Sequence, residues 1–344
     1  MTDNPYRALP NHAFWKRAVA TRHYEDMSRL WDAPALQGTE KIATAGSCFA
    51  QHIGRHIAQR GEGNYVDFEP APLFLPEAEH EGFGYGIYSC RYGNIYTSRQ
   101  LLQIAQEALG IRPTSRHVWE KDGRYYDALR PSVDPVGQED METVCELRRV
   151  HLSRVAQMLR SLDVFVFTLG LTETWIDRSD GTAFPTAPGV IAGDPAKNAA
   201  EYVNLSIDDV RKDLVDFWKI LTEVNPDAQM ILTVSPVPLI ATASGQHVLP
   251  ATTYSKSVLR VAAEELSMSS DDIHYFPSYE IINSAAGRGY YFEPDMRSVN
   301  NNGVEYVMSH FFSGPMERAF PDSRRGTVDG IGVVCDEDRI DEVI

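Results

Sequence analysis

Two hydrophobic rhythms alternate along the chain. Short continuous apolar runs, "KIATAG", "DVFVFTLG", "QMILTVSP" and "IHYFPSYEI", read as strands buried on both faces. Between them lie segments whose apolar residues recur every three or four positions. Ser47 to about Arg60 places Phe49, Ile53 and Ile57 on one face, and Gly61 closes the run. Helices are likewise predicted over "TSRQLLQIAQEALG", about 139–162, about 206–224, about 253–267 and "NNGVEYVMSHFF". A hairpin is predicted within 117–130, turning at Lys121-Asp122-Gly123. Strands separated by helices imply a parallel sheet covered on both faces. Residues 1–320 read as a single α/β domain and 321–344 as an irregular acidic tail.

Composition narrows the partners. The chain has 344 residues, 43% hydrophobic and 23% charged, enough for one large α/β domain. Its 32 basic and 48 acidic residues give a net charge of −16, with no basic block to neutralise a phosphate backbone, so nucleic acid and anionic membranes are poor partners. No stretch has the length of a signal peptide or membrane span, and a cytoplasmic location is expected. Cys48, Cys90, Cys145 and Cys335 lie far apart and read as buried thiols rather than disulfide or zinc ligands. No cofactor or metal is called for: His52 and His56 have helical i, i+4 spacing but no third ligand, and read as a polar helix face. The sequence carries no signal for oligomeric state.

In open α/β sheets ligands collect at the carboxyl ends of the strands. There the first strand meets Ser47, whose hydroxyl would lie near the positive end of the next helix. Ser47 is either a nucleophile or simply the helix N-cap. "TLGLTETW" follows the second strand; Glu173 could contact a hydroxylated substrate and Trp175 stack on a sugar face, or Trp175 could be a core-edge residue. Arg91, Tyr96 and Arg99 surround "GNIYT" and could receive an acyl or sugar oxygen, or form salt bridges. Lys256 would fall in the first turn of a helix, where a cation opposes the dipole, which favours a role in binding.

Gly46-Ser47-Cys48-Phe49-Ala50 resembles the signature of the GSCFA family, itself similar to the SGNH/GDSL hydrolases. "RYGNIYTSRQLLQ", "TLGLTETW", "SPVPL", "YSKSVLR" and "YFPSYEI" extend the resemblance over about Asn4 to Phe312. It implies a flavodoxin-like three-layer sandwich with Ser47 as nucleophile. Its backbone N–H and that of Gly93 would be oxyanion donors. The chain departs from the SGNH pattern at three blocks; at the first, Ser47 follows Ala45-Gly46 rather than Gly-Asp. Gly170-Leu171-Thr172-Glu173 replaces Gly-x-Asn-Asp, so that Asn94 would substitute as donor and Gly170, Thr172 and Glu173 fall among the substrate contacts. Asp295-Met296-Arg297-Ser298 replaces Asp-x-x-His, so the usual base is missing.

A serine nucleophile needs a base. His247, in the long connection leaving the third strand, is the best-placed histidine, with Asp295 to orient it, or else is a surface histidine without a role. Two functions are therefore expected. One is a serine esterase or O-acyltransferase acting on a small-molecule or carbohydrate ester. The other is a catalytically impaired carbohydrate-binding or assembly protein that kept the fold.

Overall fold

The structure, a computed structural model, describes residues 4–60, 65–319 and 335–342. Its central sheet is parallel and is built from β1 (Ile42–Gly46), β4 (Val164–Leu169), β8 (Gln229–Val234) and β9 (Ile273–Phe276), in that spatial order. Each is an apolar run that the sequence marks. Between the first two come a hairpin, β2 (Val118–Lys121) and β3 (Arg124–Asp127), and then helix α3 (Met141–Ser161). The hairpin turns at Asp122 and Gly123, both at positive φ (52° and 72°), the tight turn that an Asp-Gly pair favours.

Period-two alternation decides what covers each face of the sheet. Ile42, Val164, Val166 and Ile231 pack against α1 (Ala50–Arg60) and α7 (Asn301–Phe311), with α6 (Ser278–Asn283) and α8 (Pro315–Ala319) alongside. Ala43, Ala45, Phe165 and Phe167 face the other way, against α2 (Ser98–Ala108), α3, α4 (Ile207–Val224) and α5 (Val248–Ser267). The three-layer α/β sandwich is therefore present. Capping boxes, Thr97 with Gln100 and Ser206 with Asp209, start α2 and α4 where the sequence predicts. No described helix is long and apolar enough to cross a membrane.

A fifth position beside β1 is reduced to a single parallel bridge, Ile42 to Tyr65, just after α1. Counting it, the order is that of a flavodoxin-like doubly wound sheet, whose switch point lies between β1 and β4. The outer backbone of β1 is otherwise met by the 88–95 loop. The Thr44 N–H donates to Ser89 Oγ (3.1 Å), the Tyr92 hydroxyl donates to Thr44 O, and the Ile95 N–H donates to Gly46 O (2.9 Å).

The structure moves two boundaries. "ETWID" is not a substrate loop but strand β5 (Glu173–Asp177) of a small antiparallel sheet with β6 (Ala183–Phe184) and β7 (Ala200–Asn204). Helix α5 starts at Val248 rather than near 253, with His247 as its N-cap. Of the tail, 320–334 and 343–344 lie outside the described residues. Residues 335–342 return to the carboxyl end of the main sheet and finish in a short helix, α9 (Asp338–Glu342).

Candidate active site

At the end of β1, Gly46 has φ of +139°, and a Cβ there would collide with the Thr168 backbone, so no other residue fits this seam with β4. Ser47 follows, three residues before α1. Its N–H donates to Thr168 O (3.1 Å) and its carbonyl accepts from the Ala50 N–H (2.8 Å). The Ser47 hydroxyl is buried and has no hydrogen-bond partner among the described residues. The N-cap role is thereby excluded, since a cap must bond a backbone N–H. The N–H expected to serve as an oxyanion donor is spent on Thr168.

Ser47 opens into a cavity of about 10 Å³, room for a single water, lined among others by Cys48, Tyr96, Gly170, Leu239 and Glu337. Gly170 is there because of space: a Cβ on it would stand 2.9 Å from Ser47 Cβ and 3.0 Å from Tyr96 O. Its carbonyl accepts a 2.6 Å hydrogen bond from Lys256 Nζ. Lys256 is 2% exposed and lies in the third turn of α5, so the expected clash with the helix dipole does not arise. Burial pushes its ammonium down to about 8, against the pull of the Glu337 carboxylate.

The C-terminal turn supplies the rest. The Asp336 N–H donates to Tyr96 OH (3.1 Å), and Asn94 Nδ2 donates to Asp336 Oδ2 (3.1 Å). Tyr88 OH stands between Asn94 Oδ1 (2.7 Å) and the Ser47 carbonyl (3.1 Å). Glu337 accepts from Arg297 Nη2 at 2.9 Å, and Arg297 Nη1 reaches Asp338 at 3.1 Å. Burial raises both Asp336 and Glu337; hydrogen bonds from Ser132 and Asn94 partly offset this for the first, and the charges of Arg297 and Lys256 for the second.

The expected Ser47–His247–Asp295 triad is not assembled. His247 is exposed, and its Nδ1 accepts from the Leu249 N–H (3.1 Å), which caps α5. Asp295 closes its own turn, accepting from the N–H groups of Arg297 and Ser298 and from Ser298 Oγ (2.6 Å). No histidine among the described residues lines the Ser47 cavity. The remaining candidates divide. Gly170 and Tyr96 line the Ser47 cavity, Lys256 reaches it through the Gly170 carbonyl and Asn94 through Tyr88, whereas a Cβ on Gly93 would meet Val133 and Ser132. Thr172 is fully engaged, its N–H with Ser255 Oγ (3.0 Å) and its hydroxyl with Asn204 (2.6 Å). Glu173 accepts from Thr242 (2.6 Å), and Trp175 packs on Tyr202 in the second sheet, the core-edge alternative. Arg91 donates to backbone carbonyls and Arg99 pairs with Asp213 at 2.9 Å. Arg297, Asp336 and Glu337 were not among the sequence candidates. Arg297 could have been found as a cation inside the block where the histidine is missing; the tail acids carry no periodic pattern that would mark them.

This is a doubly wound α/β protein whose switch point holds a buried, unbonded serine facing Gly170, whose carbonyl a buried lysine holds. Residues 41–311 match the model of the GSCFA family, and the chain belongs to that family. No curated protein matches it.

Proposed function

We propose that the chain is a serine-dependent esterase or O-acyltransferase, with Ser47 as nucleophile and Lys256, in place of a histidine, as proton acceptor. The supporting observation is that the unbonded Ser47 hydroxyl shares its cavity with Gly170, the residue whose carbonyl holds the buried Lys256 amine. A desolvated lysine is a recognised activator of serine on other folds. Its neutral form would leave the Gly170 carbonyl and take the Ser47 proton as Oγ bonds to the ester carbonyl carbon. The ammonium would return that proton to the departing alkoxide, leaving an acyl-serine. Water or a sugar hydroxyl would then release the acyl group by the reverse transfer. The resemblance of the Gly46–Ala50 segment to SGNH/GDSL hydrolases supports an ester as substrate, and we take it to be an acylated carbohydrate.

The test is labelling by a fluorophosphonate together with hydrolysis of 4-nitrophenyl acetate. Ser47→Ala should abolish both, and Lys256→Met should lower hydrolysis by roughly two to four orders of magnitude. In the wild type, kcat/KM should rise with pH along a limb centred near 8, because only the deprotonated amine is a base. Equal rates in wild type and Ser47→Ala would overturn the reading. The absence of an imidazole from the cavity supports the second reading, a carbohydrate-binding protein with a lapsed site. That reading predicts sugar binding without labelling.

A further inference from the structure

The space over Ser47 has room for one water and not for an ester, so the described conformation is closed. What closes it is a carboxylate. Glu337 lines the cavity and pairs with Arg297, and its charge acts on the buried Lys256. Two buried polar atoms around it lack partners among the described residues: Ser47 Oγ and Arg297 Nε. None of residues 335–340 belongs to a described hydrophobic cluster, and the turn makes polar contacts with Tyr96, Asn94 and Arg297. A segment held in this way can be exchanged for a ligand that offers the same groups. Moving Glu337 away would leave the part-buried Arg297 guanidinium with the exposed Asp338 as its remaining ion pair, an arrangement that another anion entering the site would relieve.

We propose that Glu337 occupies a carboxylate subsite formed by Arg297, and that the ester processed at Ser47 carries a carboxylate that takes Glu337's place. The inference rests on reading Ser47 as the nucleophile. The anion could lie on the acyl group or on the alcohol; the chemistry recognised is the same.

The experiment measures binding without turnover, in the full-length Ser47→Ala protein, by calorimetry. The probes are monomethyl succinate, with the carboxylate on the acyl side, 4-hydroxybenzoate, with it on the alcohol side, and dimethyl succinate as the neutral control. Adding Glu337→Ala, or Glu337→Gln as the milder change, should tighten one of the two monoanions about tenfold, the size of one charge-assisted hydrogen bond. Arg297→Gln on top of either should cancel the gain, and dimethyl succinate should not respond. Whichever monoanion gains identifies the side of the ester that carries the charge. No gain in either Glu337 variant, each retaining the parent's melting temperature, or an equal gain for dimethyl succinate, would overturn the proposal. Hydrolysis that depends on Ser47 would survive that outcome. Conversely, anion binding without any Ser47-dependent hydrolysis would overturn the esterase reading and leave the subsite in place.

Discussion

Two buried clusters of charge lie in this molecule and differ in the direction in which burial moves them. Behind α2 and α3, Arg148 pairs with Glu107 (2.7 Å) and Asp127 (3.3 Å), Arg130 with Asp127 (2.8 Å), and neutral His151 donates Nδ1–H to Glu69 (2.6 Å). Burial alone would raise these acids. Arg148 and Arg130 instead hold Asp127 down to about 2, and His151 and Arg130 hold Glu69 down to about 2. At Ser47 burial wins: Lys256 falls to about 8, and Asp336 and Glu337 rise. The ingredients are the same, and the number of counter-charges per group differs. The first cluster fixes charges in place; the second holds groups close to exchanging protons or partners.

Breaking the first cluster should have the largest effect on stability. Arg148→Met leaves Glu107 and part of Asp127 buried without their cation and should cost about 3–5 kcal/mol in urea unfolding. A cost near zero would erase the distinction.

Stability against pH separates the clusters further. Glu69 and Asp127 have folded values depressed below their ordinary 4.5 and 3.8, so between those values and about 2 the unfolded chain binds more protons. Stability from the first cluster should be lost as pH falls through that window. Lys256 is also depressed, from 10.5 to about 8, so here too the unfolded chain binds more protons, and stability should rise with pH between those values. Lys256→Met should flatten the alkaline rise and leave the acid limb unchanged; a rise that persists would assign it elsewhere.

The mildest change is Gly170→Ala. Its methyl would enter within 2.9 Å of Ser47 Cβ and should cost about 1–3 kcal/mol by overpacking. Fluorophosphonate labelling of Ser47 should slow, while the acid limb set by Glu69 and Asp127 stays where it was. An unaltered labelling rate would remove Gly170 from the site.

The sheet was legible in the sequence because a buried parallel strand is a local signal. "DVFVFTLG" announces β4 without reference to anything else, and Asp122-Gly123 announces its hairpin. Ser47's place followed from the same local reading. The proposed proton acceptor did not. His247 sat in a long connection that suggested function, yet its ring serves as the cap of α5, a task usually given to serine, threonine or aspartate, so the helix start was displaced and Lys256 with it. "ETWID" alternates like a strand but follows so closely on β4 that it read as a loop. Glu337 reaches Ser47 across 290 positions of sequence, through contacts that leave no periodic trace.

The edge of β1 has a last consequence. A row of unpaired backbone groups on an outer strand is a template for another chain, and such edges seed aggregation. Here one bridge at Tyr65 stands where a whole strand would run, yet the carbonyls of Ile42, Thr44 and Gly46 and the Thr44 N–H are claimed by Val66, Tyr92, Ile95 and Ser89. A loop of hydroxyls and amides imitates the missing strand, so the strand that carries the serine offers a foreign chain nothing along this edge to zip onto.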